Sequence, residues 1–316
     1  MKSAIIAGLA VAAVVGSLEA APEKEGSERD VKPVIAVGSA SENVVAYAGR
    51  LWTVVTDASG VTEVRSVAPK PAGDFHIPSK LGTTEITRIG ERAFCGCDKL
   101  EFVWISAGIT EIGKEAFSAC AKLKCVRLPD SIRKIGAGAF FCTGLKSVMI
   151  PMGVESIGHG AFSGCKDLAR ICVEESCSRY RMEDGYLIGS DRSLLAFERK
   201  DKTEVVEPPE GVVSICNYAF YGIPSLKTVK LQADLARIEC DAFKGCTGIA
   251  TVEVKGKSVE VAAGEIADVS MNAFDANVMK LLPKNNVSTN RYLRLVHGEY
   301  KSTRARVSSA TLACSR

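Results

Sequence analysis

The sequence predicts a repeat solenoid, mainly β and irregular, in which coils of about 23 residues stack so that their strands form a parallel sheet. A short apolar motif returns at a fixed interval along the middle of the chain, and each copy ends in a stretch that alternates as a strand does. A unit this short cannot bury its own apolar face, so the copies must stack. The 316 residues are 47% hydrophobic with a formal net charge of +3, which excludes a disordered chain and a protein that binds polyanions through bulk charge.

Residues 1–20 are expected to be a secretory signal peptide. Lys2 supplies one positive charge, and an uncharged run rich in Ala and Val follows from Ala4 to Leu18 and ends in small residues. A membrane span needs about 20 apolar residues, and the polar segment after Pro22 follows too soon. We therefore predict a secreted, periplasmic or cell-surface protein with no stable membrane span after the signal is removed.

Residues 21–82 are expected to form a linker and a β-hairpin cap over the apolar end of the solenoid. The segment from Val44 to Val64 alternates and contains Trp52, and Asp57 to Gly60 has the composition of a turn. A capped end is required because a solenoid otherwise exposes a raw apolar face.

Residues 83–254 are expected to form the coils. Six copies of an Ile-x-x-x-Ala-Phe motif carry the phenylalanines Phe94, Phe117, Phe140, Phe162, Phe220 and Phe243. Their intervals are 23, 23, 22, 58 and 23 residues. Each copy continues into a predicted strand. In the strand of the first copy, Val103 and Ile105 point inward while Phe102 and Trp104 point outward.

The complete pattern, Ile-Gly-x-x-Ala-Phe-x-x-Cys-x-x-Leu-x-x-Val-x-Ile-Pro, resembles the BspA-type leucine-rich repeat over about residues 77–254. Four copies fill the cysteine position, with Cys97, Cys120, Cys165 and Cys246. Cys216 and Glu239 depart from the pattern because they replace the glycine. The resemblance implies a leucine-rich repeat superhelix and an association with adhesion and surface interaction, and it names no ligand.

The two irregular parts of the chain are the 58-residue interval and the C-terminus. A β-hairpin is expected at about residues 180–200, as an extended unit that closes a gap in the core rather than a ligand loop. Residues 255–316 are expected to be a degenerate repeat, a C-terminal cap and a basic tail. From Lys284 onward seven basic residues accompany a single acid, Glu299, so an electrostatic contact with the cell envelope is one role for this tail.

The cysteines are expected to pack in the interior as small apolar groups. Neighbouring coils place Cys97 and Cys120 within disulfide reach, and Cys172 and Cys177 are another pair; the sequence leaves both pairings open. The Cys-x-Cys spacing that ends at Cys97 is not that of a zinc site, and we predict no metal and no cofactor.

No catalytic residues are predicted, and the chain is not expected to be an enzyme. His159 and Cys165 share one coil, which makes a Cys-dependent hydrolase a remote alternative, but Cys165 is expected to face inward while His159 lies on a turn. The sequence has no phosphate-binding glycine loop, nucleophile elbow or metal-binding helix motif.

The outward side of the strands is the remaining candidate surface. Its predicted binding residues are Phe102, Trp104, Arg127, Met149, Arg170 and Lys230. Exposed aromatic side chains beside arginine are typical of binding hot spots. We predict a secreted or cell-surface binding module for an extracellular protein or glycan, with no nucleic-acid partner. Two alternatives stay open: the N-terminal cap covers Phe102 and Trp104, or the protein is a structural or assembly component of the envelope.

Overall fold

A computed structural model describes residues 34–36, 42–199, 202–232, 234–254 and 268–269. These residues form 24 β-strands and no helix, and hence no helix with the length and apolarity to cross a membrane. The predicted signal peptide (1–20) and the basic tail from residue 284 lie outside the described residues.

An antiparallel meander stands at the N-terminal end of the coils. Its strands are β1 (Val34–Ala36), β2 (Glu42–Tyr47), β3 (Arg50–Thr56) and β4 (Thr62–Ala68). The predicted turn connects β3 to β4, where Asp57 Oδ1 accepts backbone hydrogen bonds from Ser59 and Val61. Trp52 is buried and stacks on Phe75 with ring centroids 5.7 Å apart, so the meander extends the core of the coils.

The first coils each supply one strand to each of two parallel sheets, as the repeat predicted. The short strands continue from β4 into an eight-stranded sheet: β8 (Arg88–Ile89), β10 (Glu111–Ile112), β12 (Lys134–Ile135) and β14 (Ser156–Ile157). The longer strands form a five-stranded sheet: β5 (Gly73–Ile77), β9 (Leu100–Ile105), β11 (Cys125–Arg127), β13 (Ser147–Ile150) and β15 (Arg170–Val173). A small hairpin of β6 (Lys80–Leu81) and β7 (Thr84–Glu85) connects the first pair of coils.

The insertion has three strands where the sequence predicted a hairpin. They are β16 (Tyr180–Glu183), β17 (Tyr186–Gly189) and β18 (Ser193–Phe197), and they pair in antiparallel order. The last of them then pairs in parallel with the next coil, Leu194 opposite Ile215. The insertion therefore starts a second set of sheets.

The second set repeats the arrangement of the first. A six-stranded sheet runs from the insertion through β20 (Ser214–Ile215), β22 (Arg237–Ile238) and β24 (Asp268–Val269). A three-stranded sheet contains β19 (Val205–Val206), β21 (Thr228–Leu231) and β23 (Thr251–Val254).

The phenylalanines of the motif form stacked ladders in the interior. Phe94, Phe117 and Phe140 are fully buried, with successive ring centroids 5.1 and 5.4 Å apart and rings within 4° of parallel. Phe220 and Phe243 stack in the same way at 4.8 Å in a second core. The ladder is interrupted between Phe162 and Phe220, where the insertion lies.

The strands β17 and β18 of the insertion are buried on both faces, which explains why their sequences are largely apolar without alternation. Leu187 and Leu195 pack with the first core, whereas Ile188 and Leu194 pack with the second. Because successive side chains of a strand point to opposite faces, two adjacent strands serve both cores at once. The predicted role of closing a gap in the core is therefore filled by a two-faced layer.

The cysteine position of the motif has a specific bonding role. The thiols of Cys120, Cys165 and Cys246 each donate to the backbone carbonyl of the phenylalanine one coil earlier, at 3.1, 3.1 and 2.9 Å. A small side chain with a weak donor thus fills the core and satisfies a buried carbonyl. The glycine position is explained by close approach: a Cβ on Gly136 would lie 2.5 Å from the backbone nitrogen of Lys114.

Candidate functional site

The five-stranded sheet brings five of the six predicted binding residues onto one outward face. The parallel register places Arg127 beside Trp104 and Arg170 beside Ser147. Phe102 lies in the same row as Ser147 and Arg170, and Met149 lies in the same row as Trp104 and Arg127. The alternation of the strands turns Val103 and Ile105 into the core, so these outward positions arise directly from the inward packing.

The exposed part of this face combines apolar and cationic side chains. Trp104 is 38% exposed and Met149 is 54% exposed, and they are two of the four large apolar side chains that are exposed among the described residues. Phe102 is half-buried and stacks on Trp104 with ring centroids 6.3 Å apart. The N-terminal meander therefore leaves Trp104 accessible. We call the surface formed by Phe102, Trp104, Arg127, Met149 and Arg170 the strand face.

The two arginines of the strand face stand without a counter-charge from the part of the chain that the structure describes. Arg127 and Arg170 are exposed, and neither forms an ion pair with any residue that the structure describes. The nearby Lys124, by contrast, is bonded to Glu101 at 2.6 Å. The strand face therefore offers two unneutralised guanidinium groups next to exposed apolar surface.

Lys230 lies apart from the other five residues. It belongs to β21 in the three-stranded sheet, because the insertion divides the rows that the sequence predicted as continuous. Its ammonium group lies 3.7 Å from Glu207. Lys230 is thus on a second, separate outward face with its charge partly compensated.

The cysteines for which the sequence left disulfide pairing open are free thiols in the structure. Cys97 and Cys120 lie buried in adjacent coils, and Cys172 and Cys177 are half-buried beside the insertion. Cys165 faces inward as predicted, and burial raises the pKa of its thiol to about 11. A buried neutral thiol bonded to a carbonyl is not an activated nucleophile, so Cys165 gives no support to a hydrolase.

A second concave site, which the sequence reasoning missed, opens where the two sets of sheets separate. Strand β14 ends the eight-stranded sheet and does not pair with β18, and the gap between them forms a cleft of about 370 Å³. One wall carries Ile157 and His159, and the other carries Cys216 and Glu239. The insertion supplies the floor, with Asp191 among its residues.

Three side chains with metal-ligand chemistry converge in this cleft. The Nδ1 atom of His159 lies 3.3 Å from Oε2 of Glu239. One ligand atom from each of His159, Cys216 and Glu239 lies within 4.8 Å of the other two. Glu239 Oε2 also accepts the backbone N–H of Asn217 at 3.0 Å. Burial and, secondarily, the nearby Glu239 carboxylate raise the pKa of the Cys216 thiol to about 12.

The sequence did contain a signal for this cluster. Cys216 and Glu239 replace the motif glycine in two consecutive coils, and the parallel register of Ile215 with Ile238 places them side by side. His159 follows the last intact motif glycine, Gly158. The structure brings His159 to Cys216, 57 residues away in the chain, and Cys165, which was paired with His159 only in the remote hydrolase alternative, faces inward as predicted.

Comparison with known proteins agrees with this architecture. A family model described as the BspA type leucine rich repeat region matches residues 74–183 and 193–277 in six copies. Comparison with curated proteins finds no match.

Solved structures that are similar to this chain come from several bacteria. The pneumococcal vaccine antigen PcpA is 19% identical with a TM-score of 0.49, covering 67% of this chain and 70% of its own. A leucine-rich cell surface protein from Faecalibacterium prausnitzii is 18% identical with a TM-score of 0.29, covering 70% of this chain and 97% of its own. The T. pallidum leucine-rich repeat protein is 21% identical with a TM-score of 0.40, covering 65% and 80%.

Proposed function

The chain belongs to the BspA-type leucine-rich repeat family, and we propose that it acts outside the cytoplasm as a binding module whose strand face holds a protein partner. The extracytoplasmic location follows from the predicted signal peptide at residues 1–20. The observation that carries the binding role is the strand face itself, where exposed Trp104 and Met149 lie beside two unneutralised arginines.

The chemistry of the strand face favours an acidic protein surface with an apolar centre. Trp and Arg dominate the energetics of protein interfaces, and a flexible Met adapts to apolar groups of different shape. Arg127 and Arg170 are held on a paired sheet, so little conformational entropy of the backbone is lost when a partner carboxylate binds. Binding to a glycan, which would stack on Trp104 alone, is the other outcome of the test described next.

Binding of the purified chain to arrays of extracellular proteins and glycans tests this function. We expect a protein ligand whose affinity falls at least about thirtyfold in Trp104→Ala/Arg127→Ala, since hot-spot side chains contribute about 2 kcal/mol or more. The matched control is Val205→Ala/Lys202→Ala, an exposed apolar and an exposed basic residue outside the predicted binding set. Equal binding by the strand-face variant and the wild type would refute the proposal.

A deletion after Pro283 separates the strand face from the basic tail. If the tail alone carried binding, affinity would fall on deletion and would depend steeply on salt, as expected for contacts between a basic segment and an anionic surface. That outcome would replace the proposed function by electrostatic attachment to the envelope. We expect the deletion to leave the affinity for the protein ligand within about twofold of the wild type.

A further inference from the structure

We propose that His159, Cys216 and Glu239 form a binding site for a divalent transition metal of the zinc class, with a fourth coordination position open to the cleft. The site lies between the two sets of sheets and shares no residue with the strand face. Its test is therefore independent of the proposed binding function.

The distances fit tetrahedral coordination. Two ligand atoms that each lie about 2.0 to 2.1 Å from a zinc ion stand about 3.3 Å apart in a tetrahedral site. His159 Nδ1 and Glu239 Oε2 are 3.3 Å apart. All three ligand atoms lie within 4.8 Å of one another, so a metal between them reaches the sulfur with only a small side-chain adjustment.

The ligand types select the class of metal. Imidazole and thiolate suit zinc and related transition metals, whereas Mg²⁺ and Ca²⁺ prefer sites made of oxygen ligands. Three protein ligands with one position left for water is the arrangement of an open zinc site rather than a closed structural one. The cleft provides room for that fourth ligand.

A surrounding group holds one of the ligands in place. The backbone N–H of Asn217 donates to Glu239 Oε2 and orients the carboxylate. Such outer groups are a regular feature of metal sites, where they orient the ligands and raise their affinity.

The local charge also suits a cation. The cleft is lined by the acids Glu155, Asp191 and Glu239 and by the bases Arg179 and Arg237, an excess of one negative charge before the thiol ionises. Binding of the metal transfers the Cys216 proton to the solvent and forms the metal–sulfur bond, with no change in oxidation state. The thiolate then adds a second net negative charge next to the dication.

Another concave surface, a shallow groove of about 340 Å³ on the eight-stranded sheet, has the opposite charge balance. It is lined by three acids and four bases, an excess of one positive charge. Glu111, for example, bonds both Arg88 at 3.3 Å and Lys134 at 2.7 Å. The lining of this groove includes no imidazole and no thiol, so it does not favour a transition metal, which distinguishes it from the cleft.

Titration of the chelator-treated, reduced chain with Zn²⁺ against a chromophoric competitor tests the site. We expect one Zn²⁺ per chain, no binding of Mg²⁺, and release of a proton that is measurable by calorimetry in two buffers. The Co²⁺ form should show a thiolate-to-metal charge-transfer band. Affinity should fall at least about tenfold in His159→Ala, Glu239→Gln and Cys216→Ser, since each removes a ligand or weakens it.

His76→Ala and Cys240→Ser are the matched controls, because both alter exposed residues outside the cluster; we expect affinities within about twofold of the wild type. The side chain of His159 is half-exposed, so His159→Ala should fold normally even if Cys216→Ser does not. Absence of stoichiometric Zn²⁺ binding overturns the proposal. Zn²⁺ binding that survives His159→Ala and Glu239→Gln also overturns it, since other cysteines would then be the ligands.

Discussion

The hydroxyl of Tyr180 accepts a hydrogen bond of 2.9 Å from the backbone N–H of Ile157. Ile157 lies in β14, which has a strand partner on one side only. The tyrosine of the insertion thus satisfies an edge donor that the next coil would satisfy in an uninterrupted solenoid. Burial raises the pKa of the Tyr180 hydroxyl above its usual value.

Tyr180→Phe should lower the free energy of unfolding by about 1 to 2 kcal/mol, because it leaves the Ile157 N–H without its acceptor while keeping the ring. Urea denaturation at neutral pH measures the change. Tyr221→Phe is the control, since no hydrogen bond of that hydroxyl is found among the described residues. Equal effects of the two substitutions would show that the hydroxyl of Tyr180 has no special role.

Removal of one ring from the ladder should be strongly destabilising. Phe117 is fully buried between Phe94 and Phe140, and Phe117→Ala should lower the free energy of unfolding by about 3 to 5 kcal/mol. Phe102→Ala, at an outward and half-buried position, should cost about 1 kcal/mol or less. Thermal and urea unfolding of both variants provide the comparison, and similar losses would contradict the assignment of the two faces.

Gly136→Ala should be poorly tolerated because the added Cβ would lie 2.5 Å from the backbone nitrogen of Lys114, where no flexible side chain can yield. We expect a loss of about 2 kcal/mol or more, in the range of overpacked cores. Gly222→Ala has open space around the new Cβ but a positive φ, so its loss should stay near 1 kcal/mol. Unfolding curves in which Gly222→Ala is the worse of the two would refute the close-packing explanation.

Stability should decline at alkaline pH because of the buried thiols. The pKa of Cys165 is raised to about 11 in the folded protein, whereas an unfolded cysteine ionises near ~8.5. Between those values the unfolded chain has lost a proton that the folded chain keeps, so this contribution is complete below about pH 8.5 and is lost as the pH rises towards 11. The slope for this thiol is about −1.4 kcal/mol per pH unit.

Urea unfolding in reductant and chelator, from pH 7 to 10.5, measures this slope. Cys165→Ala should remove its share of the decline, and Cys240→Ala, at an exposed position, should leave the slope as in the wild type. An unchanged slope in Cys165→Ala would mean that other groups cause the alkaline loss.

Local spacing carried most of the fold prediction. The regular return of Phe94, Phe117 and Phe140 was sufficient to predict the coil length and the parallel strands, since a ladder of identical side chains forms only when the coils stack in register. The inward and outward sides of β9 followed from alternation alone. These features depend on contacts between residues about 23 positions apart, and the repeat makes that separation visible.

The cleft could not be predicted from the repeat, because His159 is not separated from Cys216 by a multiple of the coil length. His159 meets Cys216 because three inserted strands end one sheet and begin another, and the sequence predicted only a hairpin there. The third strand, β16, has only four residues and is only partly buried, so the alternation of Tyr180 and Met182 with Arg181 and Glu183 is too short to predict a strand. Without it, Cys165 was the nearest thiol to His159 along the chain, and the replaced glycines were interpreted only as local irregularities.

The insertion also determines how the number of coils on either side of it can change. Strand β18 presents to β20 the same parallel edge that an ordinary coil presents, with Leu194 opposite Ile215. The second run of coils therefore takes its strand register from the insertion, and it also contacts the first run through Ser163, whose hydroxyl donates to the Tyr218 carbonyl at 2.7 Å. Gain or loss of a whole coil away from this junction would preserve the strand register of the other run, so the two runs are free to differ in their number of coils while the two-faced layer between them stays the same.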